Sequence, residues 1–576
     1  MNRSLSRFSQ VWLVDFEFGT PPGDPQQPRC LVAHELFTGR TIRTWEDEMR
    51  GARSPPYPVS GDILFVAYYA SAEFKCHLSL GWALPESVID LYGEFRALTN
   101  GQALPSGSGL LGALTYLGLD AMSVVEKDSM RQLAMRGGPY TSAEREALLD
   151  YCAEDVDALR RLLLAMISTL DVDRALIRGD YMKALACMEH SGVPLDVTYL
   201  ERVRAEWSNI KTTLISRIDA TYGVFDGETF KRDRFELFTV RNNIPWPRHE
   251  SGQLQLDEKT FRMMSQAYPL ITPLHELRVS LSQLRLTDLE VGSDGRNRTM
   301  LSAFSTRTGR NAPSTTRFVF GPAKWIRSLI KPGPGMALAY VDYSSEEFGI
   351  AAVLSGDTNM QAAYATGDPH LGFAVQAGAA PPDATKETHG EVRDRFKACN
   401  LGVLFGMGAF TLGQQVSLPT PYARDLLRVH QETYRRYWRW SNGAVDHAML
   451  FGGLHTVFGW RIRVGPESRP ASLRNWPVQS TGAEILRLAA CLLTEAGICV
   501  CAPVHDAFLI QAPLDLIDEH VRLARALMVE AGRIVLGGFE LRIDEVIIRY
   551  PDRFKDKRGA RMWSEIAALL GAGDVR

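Results

Sequence analysis

The sequence predicts an α/β protein of more than one domain, and three observations carry that expectation. At 576 residues the chain is too long for one ordinary core. Short apolar runs of strand length stop at carboxylates: Val11–Val14 before Asp15, Met336–Val341 before Asp342, and Ile498–Cys501 and Phe508–Ile510 on either side of Asp506. Between them lie segments with helical periodicity, such as Asp180–His190, which stops at the turn residues of Ser191–Asp196.

Bulk composition narrows the function classes. A 45% hydrophobic and 23% charged chain is that of a soluble globular enzyme. A net charge of −3 argues against a basic nucleic-acid coat, but binding depends on where the positive charge lies. Clusters occur at Arg296 with Arg298, Arg307 with Arg310, Lys324 with Arg327 and Lys331, and in Tyr434–Trp440. Cations interleaved with aromatics suit a groove that tracks a nucleic-acid backbone, and equally a solvated helix face. The eight cysteines are scattered, as in a reduced cytoplasmic protein of a bacterium or infected host cell. Asp15 and Glu17 interrupt the only early apolar run, so no signal peptide is expected. No stretch is long enough to span a bilayer.

Taken in order, the first segment runs to about residue 170. Strand alternation puts Asp15 and Glu17 on one face, a poor arrangement for two carboxylates unless a cation neutralises them. A second apolar run, Leu64–Ala72, ends at Glu73. Far downstream Tyr151 and Asp155 stand four apart on a helix that continues to Leu163. This set resembles the 3′–5′ proofreading exonucleases of the ribonuclease H-like fold. The resemblance implies that Asp15, Glu17, Glu73 and Asp155 bind metal and that Tyr151 orients the attacking water. The middle motif departs from the family: Tyr69 stands at its Asn position and Glu73 at its Asp position, and Asp90 is a candidate to compensate. Loss of activity in a domain that only packs is the alternative.

Residues 171–335 connect the two halves. Helices are expected over Asp180–His190, from Val203 to about Tyr222, and over Leu274–Leu286. Ser302–Arg310 is rich in hydroxyls and cations, suited to phosphates or to a polar turn. Gly321–Gly335 reads as a loop leading to the strand before Asp342.

In the second half, Asp342–Asp357 opens on a strand-end Asp and continues as a helical stretch from Glu347. Either Asp342 or Asp506 alone could be a turn cap. Together they could hold a pair of divalent cations. On the helix that follows, Arg393, Lys397, Leu401 and Phe405 recur every four residues, a ridge cationic at one end and apolar at the other. That gradient suits a nucleoside triphosphate. Gly402 and Gly406 are read as places where a base pair approaches the backbone. These stretches, with Asn475–Ile485 and Val504–Asp506, resemble in order the motifs of DNA polymerases of the bacterial polymerase I type.

That resemblance implies a right-hand polymerase domain over 171–576, with thumb about 195–300, fingers about 358–450, and palm about 300–357 and 451–576. It further implies two Mg²⁺ ions at Asp342 and Asp506, Glu347 blocking a ribose 2′-hydroxyl, and His505 near the primer terminus. Arg393, Lys397, Leu401, Phe405 and Tyr343 would contact the nucleotide, and Asn475, Gln479, Arg307 and Arg310 the DNA. Primer–template DNA, dNTPs and replisome or processivity proteins are the implied partners, with no membrane. The missing 5′-nuclease segment suggests a phage-type polymerase. Departures from the pattern are Glu346 and Gly349 for Ile and Arg, Leu401 and Phe405 for Phe or Tyr and for Tyr, and Ala507 for Glu. A single-subunit RNA polymerase shares a related palm, but Glu347 and the exonuclease-like segment argue against it. Asp342, Asp506, Lys397 and Arg393 argue against an inactive template-binding scaffold, since buried acids without cations are costly.

Overall fold

Every residue from Val11 to Val14 is buried, because their strand, Gln10–Gly19 (β1), is the centre of a five-stranded sheet. On one side lie Gln27–Glu35 (β2) and Thr41–Trp45 (β3), and on the other Ile63–Ala67 (β4) and Ser87–Asp90 (β5), in the order β3-β2-β1-β4-β5. The first three strands pair antiparallel, β4 pairs parallel to β1, and β5 pairs parallel to β4. A strand covered on both faces reads as an unbroken apolar run. The cover comes from Ser71–Leu80 (α1), Ser142–Met166 (α2) and Val172–Ser191 (α3). The Thr141 side chain accepts from the Glu144 backbone while Glu144 reaches back to Thr141, a capping box that fixes where α2 starts. The computed structural model describes residues 5–120, 124–283, 289–321, 323–416, 418–465 and 468–571.

A second sheet holds Met336–Tyr343 (β6), Cys499–Val504 (β7), Ala507–Pro513 (β8) and Ile543–Arg549 (β9), in the order β7-β8-β6-β9. Glu346–Ser355 (α4) follows β6 at once, and Gly390–Leu404 (α5) comes later. Pro470–Glu495 (α6) packs along Ile517–Val535 (α7) and against β7.

Tertiary contacts group Met1–Gly192, Met300–Pro313 and Ala339–Ile547 into one compact unit, and Val193–Thr299, Ser314–Leu338 and Ile548–Arg576 into another. This differs from the expected division at residue 170, and it takes the tail after 547 away from the palm region. The tail joins the second unit through Asp196, whose carboxylate lies 3.0 Å from Arg553 and 3.5 Å from Lys331. Beside it Tyr199 stacks on Trp563 at 4.6 Å.

Local expectations need three corrections. The helix expected from Val203 to Tyr222 is two, Val197–Ala205 and Trp207–Tyr222, broken at Glu206. The amphipathic helix begins at Thr272 and is described to Gln283, and Leu284–Leu286 lie outside the described residues. The loop before β6 contains a short 3₁₀ turn, Lys324–Leu329, pinned by fully buried Trp325. Among the described residues no helix is long and apolar enough to cross a membrane.

Within the first unit, α3 is locked by Arg178. Its guanidinium donates to both Glu94 oxygens, at 2.5 and 2.8 Å, and to the Phe458 carbonyl at 3.1 Å. Both side chains are buried, so deleting one strands the other's charge. Arg178→Ala is expected to lower stability by about 3–5 kcal/mol, read as a shift in the denaturant midpoint.

Candidate active sites

β1 delivers Asp15 and Glu17, and α2 delivers Asp155, so that oxygens of the three carboxylates lie within 4.8 Å of one another. One turn earlier on α2, the Tyr151 hydroxyl donates to Asp155, and burial with the charges of Asp155 and Glu17 pushes its phenol well up. The Cys152 thiol sits 3.3 Å from an Asp15 oxygen. Glu73, on α1, stands outside that three-residue group. It is buried beside the group, and burial with repulsion from Asp15 and Glu17 pushes its carboxyl well up. Its Oε2 has no hydrogen-bond partner. Three converging carboxylates, two of them half-buried, with a buried fourth beside them, fit a hard divalent cation.

Asp90 does not compensate for the altered middle motif. Its two oxygens accept from the backbone of Tyr69, Ala70 and Gly93, so it is a turn and helix cap at the end of β5. Burial pushes its carboxyl up to about 6, with those three donors pulling it down. Tyr69 holds a left-handed backbone at φ 71, and its hydroxyl accepts from the Ala303 backbone at 3.3 Å.

The second cluster forms where β6 meets the hairpin of β7 and β8. Val504 pairs with Ala507, leaving His505 and Asp506 as a two-residue turn. His505 has φ 60, a position usually given to glycine in such turns. A β-carbon there costs of order 1–3 kcal/mol, the sort of strain found at functional turns. The Tyr343 backbone N–H donates to the Asp506 carbonyl at 3.4 Å, which brings Asp342 and Asp506 to adjacent backbone positions. Burial, then repulsion from Asp506 and Asp544, raises the Asp342 carboxyl, and burial raises Asp506. Asp342 Oδ1 is buried with no partner. This pair, too, fits divalent cations held by oxygen ligands.

Alternation decides the neighbours. Asp342 faces the cleft, so Tyr343 faces away: it is 2% exposed and donates to the Met528 carbonyl on α7 at 2.6 Å. That geometry removes it from the expected nucleotide contacts. Beyond it Ser345, at φ 54, turns the chain sharply into α4, whose first turn presents Glu346 and Glu347. Glu347 Oε1 accepts from Gln479 Nε2 at 3.1 Å and from Arg310 at 3.4 Å. Glu346 is fully buried, with Arg310 3.9 Å away. Asp544, on β9, accepts from the Ser344 hydroxyl at 2.8 Å. Sequence reasoning gave no role to Glu346 or Asp544. The burst of acids at 346–347 was the available signal for the first; Asp544 had none.

Arg310 arrives on the segment 300–313, which side chains from several elements hold down. Leu301 N–H donates to Glu189, and the Phe304 carbonyl accepts from Arg96. The Arg307 carbonyl accepts from Asn100, Trp460 and Trp476 at 2.7, 3.2 and 2.8 Å. The Gly309 carbonyl accepts from Arg487. The Arg307 side chain itself is exposed. A cavity of about 280 Å³ opens beside it, lined by Arg307, Thr308, Phe405, Asn475 and Gln479 among others. The expected DNA contacts Arg307, Asn475 and Gln479 therefore share one surface, and Asn475 Oδ1 has no partner there.

On α5, Lys397 is exposed and has no ion-pair partner among the described residues, whereas Arg393 is paired with Asp368 and lies 3.3 Å from Asp394. Leu401 is half-buried, and Phe405 caps the helix half-exposed. The two glycines each have a local structural reason. Gly406, at φ 68, ends the helix, its N–H donating to the Val403 carbonyl and that of Met407 to Gly402. A β-carbon on Gly402 would press on Met407 at 3.3 Å.

Comparisons with known proteins point to one family. Over 472 residues the chain is 27% identical to the thermostable DNA polymerase I of Thermus aquaticus, covering 75% of this chain and 54% of that one. It is 25% identical over 417 residues to the DNA polymerase of Mycobacterium phage D29, covering 68% and 66%. The chain spans about half the length of the Thermus relatives it matches. A solved structure, the POL domain of Pol1 from M. smegmatis in complex with DNA primer-template and dNTP, matches with a TM-score of 0.72 over 94% of this chain and 96% of that one. At 19% identity that likeness shows a shared fold. The model of DNA polymerase family A matches residues 235–544, just over half of the chain and a span that includes both Asp342 and Asp506, and the chain belongs to that family.

Proposed function

We propose that the chain extends a primer strand by template-directed transfer of nucleotides from dNTPs, and that its first sheet carries a 3′–5′ exonuclease. The observation that carries the first part is the meeting of two half-buried, like-charged carboxylates, Asp342 and Asp506, at a strand end and a strained hairpin turn. Mg²⁺ bound in a pair at such carboxylates would activate the primer 3′-hydroxyl and neutralise phosphate charge. The chain's own groups do the positioning. Lys397, exposed and without an ion-pair partner among the described residues, would take the triphosphate, and Arg393 would exchange Asp368 for it. Leu401 and Phe405 flank the base and sugar. Glu347, steadied by Gln479, closes the space beside the sugar. Asn475 and Gln479 face the minor groove, whose acceptors recur in every base pair, so their amides check pairing geometry. Arg307 and Arg310 complete the DNA contacts, and His505 lies by the primer terminus.

On the exonuclease side, Asp15, Glu17 and Asp155 would hold the cation and Tyr151, hydrogen-bonded to Asp155, would orient water. Glu73 is buried and adjacent, able to tune charge from outside the three-residue group. The right-hand division into thumb, palm and fingers belongs to the same proposal. So does a cytoplasmic setting, which suits a chain whose eight cysteines form no disulfide. Replisome or processivity proteins remain the proposed protein partners.

A labelled primer–template incubated with and without dNTPs reads both activities. Asp506→Ala is expected to reduce metal-dependent extension by about 10²–10³-fold or more, and unchanged extension overturns the polymerase site. Asp15→Ala should abolish 3′-end degradation and leave extension intact; persistence of degradation would remove the exonuclease assignment. Leu401→Tyr adds a ring and a hydroxyl beside the sugar. The ratio of dideoxy- to deoxynucleotide incorporation should then change about fivefold, the worth of one hydrogen bond near 1 kcal/mol.

A further inference from the structure

Glu346 is more deeply buried than Asp342, Asp506 or Glu347, at 2% exposed. Its Oε1 is buried and has no hydrogen-bond partner among the described residues. The other oxygen, Oε2, has Arg310 at 3.9 Å, too far for a hydrogen bond, and the same guanidinium leans closer to Glu347 at 3.4 Å. Room for this carboxylate comes from α6. A β-carbon at Gly482 would stand 2.8 Å from Oε2 and 3.1 Å from Oε1, so a side chain there would push the carboxylate from its present position. Burial first, then repulsion from Asp506, pushes its carboxyl well up; Arg310 opposes this, and Glu347 and Asp342 add to it.

A carboxylate that only filled space would be replaced with advantage by an apolar side chain, and one that only bridged would have both oxygens engaged. Glu346 does neither. Its one orphaned oxygen, its burial and its place among carboxylates of the same sign make sense if positive charge arrives from outside the chain. We infer that Glu346 is a third carboxylate of the cation-binding cluster on the polymerase side, one that raises the site's hold on divalent cations by adding negative charge beside Asp342 and Asp506. Arg310 is its counterweight, a fixed positive charge on the same cluster. This rests on the proposed role of Asp342 and Asp506 as cation ligands. Glu346 itself acts as a positioning and charge-setting residue, through the field it adds to that pair.

The test is direct cation binding, read without turnover. Free Mn²⁺ is followed by electron paramagnetic resonance in the full chain carrying Asp15→Ala and Asp155→Ala, so that the first-sheet cluster contributes nothing. In that background Glu346→Gln, which keeps the shape and removes the charge, should weaken Mn²⁺ binding about tenfold. Glu346→Asp, which keeps the charge, should stay within about threefold of the parent, and Arg310→Gln should bind Mn²⁺ more tightly. Mn²⁺ affinity unchanged by Glu346→Gln but lost in Asp506→Asn overturns the inference and leaves the proposed polymerase site standing. Affinity unchanged in Asp506→Asn overturns both. Should Glu346→Gln lose its cooperative thermal unfolding transition, the comparison of Glu346→Asp with Gly482→Ala decides. The inference needs the first to retain affinity and the second, which crowds the carboxylate, to lose it; equal affinities overturn it.

Discussion

Both sites in this chain rest on carboxylates that repel one another and are held together by backbone. Side chains of like sign would drift apart if loops carried them. Here strand ends, a hairpin turn and a capped helix fix their positions before any cation arrives. β1 and α2 do this for Asp15, Glu17 and Asp155, and β6 with the β7–β8 turn does it for Asp342 and Asp506. The repulsion stored there is of the kind a divalent cation relieves, which makes metal affinity a property of the scaffold as much as of the ligands.

Around that constraint the surrounding choices fall into place. The left-handed backbone at His505 and at Ser345 turns the chain tightly enough to present an acid on either side of the cleft. α6 serves the cleft with two kinds of residue: amides at Asn475 and Gln479 that face outward, and Gly482, whose missing side chain admits Glu346. The cations are distributed unequally. Arg393 is already neutralised by Asp368, Arg310 is shared between two glutamates, and Lys397 alone of the three stands unpaired.

Much of this was legible in the linear sequence because strand ends and helical spacings are local rules. An apolar run that stops at Asp, or Tyr and Asp four apart, needs only the chain's own periodicity to be read. The placement of Tyr343 was open to the same rule, since a residue next to a cleft-facing Asp on a strand must face the other way. Glu346 carried only an ambiguous signal. Two acids in the first turn of a helix are ordinary complements to its dipole, and only the tertiary neighbour Gly482 distinguishes one of them. Asp90 misled for the opposite reason: it has a ligand's chemistry, but three backbone amides already occupy it. Asp544 and the tail after 547 depend on partners scattered along the chain, which no local pattern announces.

The segment 300–313 has no periodicity at all, yet it touches both halves of the chemistry. Its Ala303 N–H is bonded to Tyr69, on the exonuclease-like side, and its Arg310 reaches Glu347. Seven peptide steps separate those residues, a span of at most about 25 Å when fully extended. With the Arg307 carbonyl nailed in place by three donors, the segment works as a covalent ruler between two neighbourhoods built on different sheets. Between them the chain is folded, not taut: the Gly309 N–H donates to the Thr306 carbonyl and the Thr306 N–H to the Arg310 carbonyl. One short covalent segment thus lies in the walls of both proposed sites.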